Sequence, residues 1–226
     1  KPYEPYDTPL TFDRENRFDL SYYAVDHVGN VEKPKKISVV IDLSDPTTTH
    51  QIEGDQYRDI LSGRSEIILQ AKDNISQVRQ TYFTLDGSER KVYRNPLQGE
   101  YLSEGEHTIT YYSVDKVNNT EKTREYSFYV DKTPPTVVEE LVGNSYTASG
   151  KEYFSGRNKL KLISMDNKSG VKEIRYSINQ GAFKVYEKPF NLNKSGNLNI
   201  ETLAIDNVNN KKRTRKLTNR SNVSYV

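Results

Sequence analysis

Carboxylates and amides recur at a fixed spacing along this chain. Asp26, Asp115 and Asp206 are each followed by Val two places on and by Asn30, Asn119 and Asn210 four places on. Two kinds of chemistry suit an Asp-x-Val-x-Asn string. The carboxylate can accept backbone N–H bonds inside an Asx-type turn, with Asn tolerating the left-handed conformation. The second reading is a Ca²⁺ site, because Ca²⁺ takes six to eight oxygens. A second acidic block, Asp73-Asn74 with Ser76 and its counterpart at Asp166, would add ligands if both loops lie at one end of a β-sandwich. The calcium candidates are then Asp73, Asn74, Asp115, Asn119, Asp166, Asp206 and Asn210. Two carboxylates per repeat is sparse for such a site, so the turn is the expected role. No other cofactor is expected.

Other reactive residues are few. His27, His50 and His107 lie 23 and 57 positions apart, with no i, i+4 pair, so they indicate neither a zinc site nor a His-based triad. His107 alternates with Ile109 and Tyr111 and is expected in the core or at its corner. There is no Gly-x-Ser-x-Gly elbow, Walker loop or His-Glu-x-x-His string. Glu139-Glu140 and Glu104/Glu106 are close acids, but glycoside hydrolysis needs a cleft that holds a sugar. A small β module offers no deep one, so no catalytic residue is expected.

Recognition chemistry is better represented. Tyr22-Tyr23 and Tyr111-Tyr112 should place one ring inward and the next outward. Tyr23 and Tyr112 are thus binding candidates, since tyrosine joins area to a hydroxyl at low entropy cost. Cross-strand pairing on a solvent-facing sheet is the alternative. The basic tract Lys211, Lys212, Arg213, Thr214, Arg215 and Lys216 could meet anionic polysaccharide or lipid headgroups. More commonly such a run is a solvated edge strand that blocks aggregation.

Composition bounds the elements that carry these groups. With no cysteine among 226 residues, disulfides and thiolate metal sites are excluded. A net charge of +2 argues against a nucleic-acid partner, which needs a basic field. No apolar run approaches the ~18 residues of a membrane helix, and the opening KPYEPYDTPL does not read as a secretory signal. Hydrophobic residues make up 34%, below the usual range of about 45–50%. The 17 tyrosines and 7 phenylalanines compensate through area per residue, which predicts several small domains with thin cores.

An internal repeat organises the chain. FDLSYYAVDHVGNVEK (18–33), HTITYYSVDKVNNTEK (107–122) and LNIETLAIDNVNNKKR (198–213) align, with the aspartates 89 and 91 positions apart. The block from Ala71 matches the block from Ser164. A Tyr-x-x-Pro block recurs at Tyr6, Tyr93 and Tyr186. The first copy lacks the strands that should precede its Tyr-x-x-Pro block, so the expectation is a fragment of a longer multi-repeat protein. Its parts would be 1–46, the C-terminal half of a repeat, then 47–135 and 136–226, two whole repeats. Pro46 and Pro134-Pro135 mark short, semi-rigid linkers.

Alternation within each copy predicts strands. Ile67, Leu69 and Ala71 should face inward against Glu66, Gln70 and Lys72. Leu160, Leu162 and Ser164 should do the same against Lys159 and Lys161. Next come Thr81, Phe83 and Leu85, and Ile174, Tyr176 and Ile178, followed by Asp86-Gly87 and Asn179-Gln180-Gly181 as hairpin turns. About seven short strands per repeat predict an all-β chain of tandem immunoglobulin-like or fibronectin-III-like β-sandwiches arranged as a rod. Phe83 and Tyr176 should fill the place of the usual core Trp.

Gly105 to Asn119, the Asp-Asn-x-Ser-Gly-Val block at Asp166 and the Val130–Pro135 linker resemble bacterial surface Ig-like repeats. They are most similar to the repeat domain named after a leptospiral outer-membrane protein, of β-barrel type. The resemblance implies an exported, surface or outer-membrane-associated, or secreted protein. It also implies a role in adhesion to host extracellular-matrix protein or glycan. Passive spacer repeats, or a carbohydrate-binding accessory of a secreted enzyme, are the alternatives, and other repeats of the same chain are the nearest partners. Copy three departs from the pattern: Leu198 stands for His107 and Thr202-Leu203 for the tyrosine pair. A membrane barrel conflicts with outward Glu66, Gln70, Lys72, Lys159 and Lys161, since a charge at mid-bilayer costs about 2–4 kcal/mol. The chain is therefore expected not to span a membrane.

Overall fold

The computed structural model describes residues 3–149, 151–155, 157–192 and 196–220. The chain is all-β. In the first copy, β1 (Asn16–Tyr22) pairs antiparallel with β2 (Lys35–Ile41), from Asn16↔Ile41 to Tyr22↔Lys35. The second copy holds β3 (Thr47–Glu53), β4 (Gln56–Tyr57), β5 (Ile60–Ser62), β6 (Glu66–Lys72) and β7 (Val78–Leu85). It continues with β8 (Lys91–Val92), β9 (Leu97–Gln98), β10 (Gly105–Asp115) and β11 (Arg124–Asp131). The third repeats the series as β12 (Thr136–Val142), β13 (Ser145–Ala148), β14 (Lys151–Phe154), β15 (Lys159–Met165) and β16 (Val171–Ile178). Its last strands are β17 (Lys184–Val185), β18 (Phe190–Asn191), β19 (Gly196–Asp206) and β20 (Lys211–Arg220).

Strand order identifies the fold. The second copy forms a three-stranded sheet, β3-β6-β9, and a six-stranded sheet, β4-β5-β11-β10-β7-β8. The third forms β12-β15-β18 and β13-β14-β20-β19-β16-β17, the same order strand for strand. Consecutive strands β6 and β7 lie in different sheets, and β5 joins β11 in parallel. This crossing pattern is that of an Ig-like sandwich.

Local chemistry explains the elements. Asp86 (φ 50°) and Gly87 (φ 70°) both take the left-handed conformation that a two-residue hairpin turn requires. In copy three those positions fall on Asn179 (φ 53°) and Gln180 (φ 62°), so Gly181 follows the turn instead of making it. The Tyr-x-x-Pro block carries the chain from one sheet to the other. Tyr93 N–H donates to the Thr81 carbonyl at 2.9 Å, and Tyr186 N–H donates to Ile174 at 2.8 Å. Pro96 and Pro189 then sit outside the ladder that they could not join.

Of the expected inward faces, Ile67, Leu69, Ile109 and Tyr111 in copy two and Leu160 and Leu162 in copy three are buried, while Ala71, Thr81, Phe83, Leu85, Ser164, Ile174, Tyr176 and Ile178 are half-buried. Each fully buried aliphatic side chain contributes about 1.5–3 kcal/mol. Tyr176 stacks on Phe190 at 4.5 Å, and Phe83 meets Tyr93 edge-on at 6.3 Å, so each half-buried ring has an aromatic neighbour. One expectation fails. Tyr22 was to face inward, yet it is 52% exposed, while Tyr23 is half-buried against Tyr3. Among the described residues, β1 and β2 make only a two-stranded sheet, with no second layer to cover Tyr22.

Compactness divides the chain into two units: residues 1–51, 69–95 and 109–126, and residues 52–68, 96–108 and 127–226. Each Pro-bearing linker lies within a unit. No described helix is long and apolar enough to cross a membrane.

Candidate functional site

The Asp-x-Val-x-Asn turn forms in all three copies. Asp115 Oδ1 accepts from Val117 N–H at 2.9 Å and Asn119 N–H at 2.8 Å, and its Oδ2 accepts from Asn119 Nδ2 at 2.8 Å. Asp206 Oδ1 accepts from Val208 and Asn210 N–H at 3.0 and 2.7 Å. Asp26 Oδ1 accepts from Val28 and Asn30 N–H at 3.0 and 2.8 Å. Gly29, Asn118 and Asn209 take the one left-handed position in each turn, at φ 90°, 77° and 61°. A register shift at Val114/Asp115 bulges β10 against β7, and another between Val171 and Glu173 bulges β16 against β19. Such bulges re-aim the side chains beside them.

The linker supplies the residues that sequence reasoning missed. Asp42 directly follows β2, and Asp131 ends β11. Asp42 Oδ2 accepts from Ser76 N–H at 2.9 Å and Oδ1 from Ser44 N–H at 3.1 Å. Asp131 repeats both bonds, with Ser169 and Thr133 N–H at 3.2 Å each. The main-chain carbonyls of the same two residues accept from Asn119 Nδ2 at 3.3 Å and Asn210 Nδ2 at 3.0 Å. Asn119 and Asn210 thus brace the linker onto the turn. The available signal is an aspartate four places before Pro46 and three before Pro134.

Three carboxylates meet at each linker. Asp42, Asp73 and Asp115 each offer an oxygen within 4.8 Å of the other two, and so do Asp131, Asp166 and Asp206. Asp73 and Asp166 are held alike: Oδ1 of the first accepts from Ile75 and Gln77 N–H, and Oδ1 of the second from Lys168 and Gly170 N–H. Asn74 is exposed on this loop and makes none of these bonds. Asp115, Asp131 and Asp206 are fully buried. Asp206 Oδ2, Asp166 Oδ2 and Ser169 Oγ have no hydrogen-bond partner. Burial pushes the Asp206 carboxyl above its ordinary range against the pull of Asn210, and the neighbouring charges of Asp131 and Asp166 push it further. Burial acts the same way on Asp42, but hydrogen bonds from Ser76 and Ser44 outweigh it and hold that carboxyl low.

Arg64 adds a polar clasp at the third copy's turn. Its guanidinium donates to Val208 O at 2.9 Å and Asn210 Oδ1 at 3.2 Å, and it pairs with Asp55 at 3.0 Å. Asp55 in turn accepts from Asn209 Nδ2 at 2.6 Å.

The remaining candidates are dispersed. Tyr112 is half-buried, stacks on its cross-strand partner Tyr82 at 5.4 Å and accepts from Arg90 at 2.8 Å. Lys211, Lys212 and Arg213 are exposed on β20, but the pleat sends Lys212 to the face opposite its two neighbours. Arg213 is paired with Glu201 and lies over Phe183 at 5.3 Å. The Lys216 side chain lies outside the described residues. β20 was to be an edge strand if merely solvated; it instead lies between β14 and β19, meeting β14 at Tyr153↔Asn219. His107 is buried, with Nε2 3.0 Å from the Ser103 carbonyl. His50 Nδ1 lies 2.8 Å from Tyr111 OH, and its ring stacks on Tyr126.

No protein-family model and no curated protein matches this chain. Among solved structures it is similar to the fibronectin(III)-like modules of Clostridium thermocellum CbhA. There the TM-score is 0.38 at 10% identity, covering 79% of this chain and 98% of that one. PcdhgB3 EC1-4 matches with TM-score 0.28 and 12% identity over 91% of this chain and 57% of that one. The protocadherin GammaB4 extracellular domain matches with TM-score 0.28 and 10% identity over 91% and 38%. By its own strand order, the chain is built of Ig-like repeats.

Proposed function

We propose that this chain is a non-enzymatic segment of an exported bacterial surface protein, with repeats of the leptospiral type that serve as a spacer with stiff junctions. One observation carries this reading. Each linker aspartate is bound through both its carboxylate and its carbonyl to the loops of the next repeat, bond for bond in two copies. A flexible tether has no use for such bonds. Two glycine residues inserted after Asp131 should broaden the interdomain distance distribution seen by spin-label spectroscopy across that junction. An unchanged distribution would remove the spacer reading.

Adhesion to a host matrix protein or glycan is the second reading. It is favoured by the aromatic groove that Tyr3, Tyr6, Leu10, Tyr22 and Tyr23 line in the first copy. It expects saturable binding on matrix-protein or glycan arrays, abolished by Tyr23→Ala. A glycan-only response would point to a carbohydrate-binding accessory instead.

A further inference from the structure

We infer that the buried carboxylate triads are Ca²⁺ sites, with the linker aspartates Asp42 and Asp131 as the ligands that join one repeat to the next. The inference stands apart from the spacer reading, because an ion could bind here whatever the repeats do.

The second triad carries it furthest. Asp131 and Asp206 are fully buried, and a free oxygen remains on each of Asp166 and Asp206. Buried carboxylates without a counter-charge cost several kcal/mol apiece. Yet no cationic side chain is among the groups bonded to Asp131 or Asp206. Ser169, also buried, donates its N–H to Asp131 and leaves its Oγ unpartnered beside the triad. The fold thus holds hard oxygen donors ready and supplies no proton donor to their free atoms. A divalent cation would satisfy them together.

Size and donor type select the ion. Three oxygens within 4.8 Å of one another lie no more than about 2.8 Å from a common centre, so a small inward shift at most brings them to the Ca²⁺ distance of about 2.3–2.6 Å. Mg²⁺, at about 2.0–2.1 Å, would need a tighter cage, and zinc favours nitrogen and sulfur ligands. Water would complete the coordination shell. The hydrogen bonds at Asp42, Asp73 and Asp115 repeat those of the second triad. However, both Asp115 oxygens already accept bonds, so the first site should bind more weakly.

Chelator-stripped chain titrated with CaCl2 in a calorimeter, with parallel thermal melts, tests this. Two ions should bind, the tighter at Asp131, and saturation should raise the melting temperature by roughly 5 °C. Asp206→Asn should delete the tighter site and also raise the melting temperature of the stripped chain, because it removes an uncompensated charge. If that variant fails to fold, Asp166→Asn on the adjoining loop should delete the same site. The inference is overturned if CaCl2 gives neither heat nor a melting shift. It is equally overturned if MgCl2 alone gives them, or if the folded variant keeps the full calcium response.

Discussion

Asn210 and Asp131 are 79 positions apart, yet the Asn210 side-chain amide donates to the Asp131 carbonyl at 3.0 Å in a buried site. The bond closes the linker onto a turn whose own Asp206 is buried. Asn210→Ala leaves that carbonyl unpaired and frees the Arg64 contact. It should cost about 1–3 kcal/mol in urea unfolding. Asn119→Ala, at a half-buried position with a 3.3 Å bond, should cost less.

A buried carboxylate gives a second test. Glu121 accepts from Thr48 N–H at 3.0 Å and Ser113 N–H at 2.8 Å, bonds the Thr48 hydroxyl, and pairs with Arg124 at 3.3 Å. Glu121→Ala strands those buried donors and should destabilise the chain by about 2–4 kcal/mol. Copy three has Lys212 at the matching position, and its Glu139, at the strand position of His50, accepts from Thr202 at 2.7 Å as His50 pairs with Tyr111. Glu139→Ala removes the acceptor of the Thr202 and Thr214 hydroxyls, which still pair with each other, and should cost only about 1 kcal/mol.

Stability should fall in mild acid through His50. Burial lowers its affinity for a proton below that of the unfolded chain. Below about pH 6.5 the unfolded state therefore takes up more protons at this site. Its contribution is constant above that pH and declines as pH falls toward the folded value. In His50→Gln, denaturant midpoints should lose that part of their pH slope.

Tyr112 separates structure from recognition. Stacked on Tyr82 and bonded by Arg90, it should cost about 1–2 kcal/mol of stability as Tyr112→Ala. Binding lost without that destabilisation would favour adhesion.

Much of the fold was legible because alternation and turn chemistry are local. Leu160 and Leu162 are buried as their pattern demands, and Asp86-Gly87 turns as its residue types require. The Asx turns were legible for the same reason. Asp42 and Asp131 were not, since their role depends on contacts 34 and 38 positions downstream, with Ser76 and Ser169. Tyr22 misled because period-2 patterning gives a face, not what covers it.

The linker lock is tested most directly by amide hydrogen exchange in the intact chain, read by NMR at Ser76 and Ser169. Both amides should exchange slowly, and each should speed up by at least tenfold when its partner is removed, in Asp42→Ala and Asp131→Ala. Exchange as fast as an exposed loop in the unaltered protein, or no change in the variants, would contradict it.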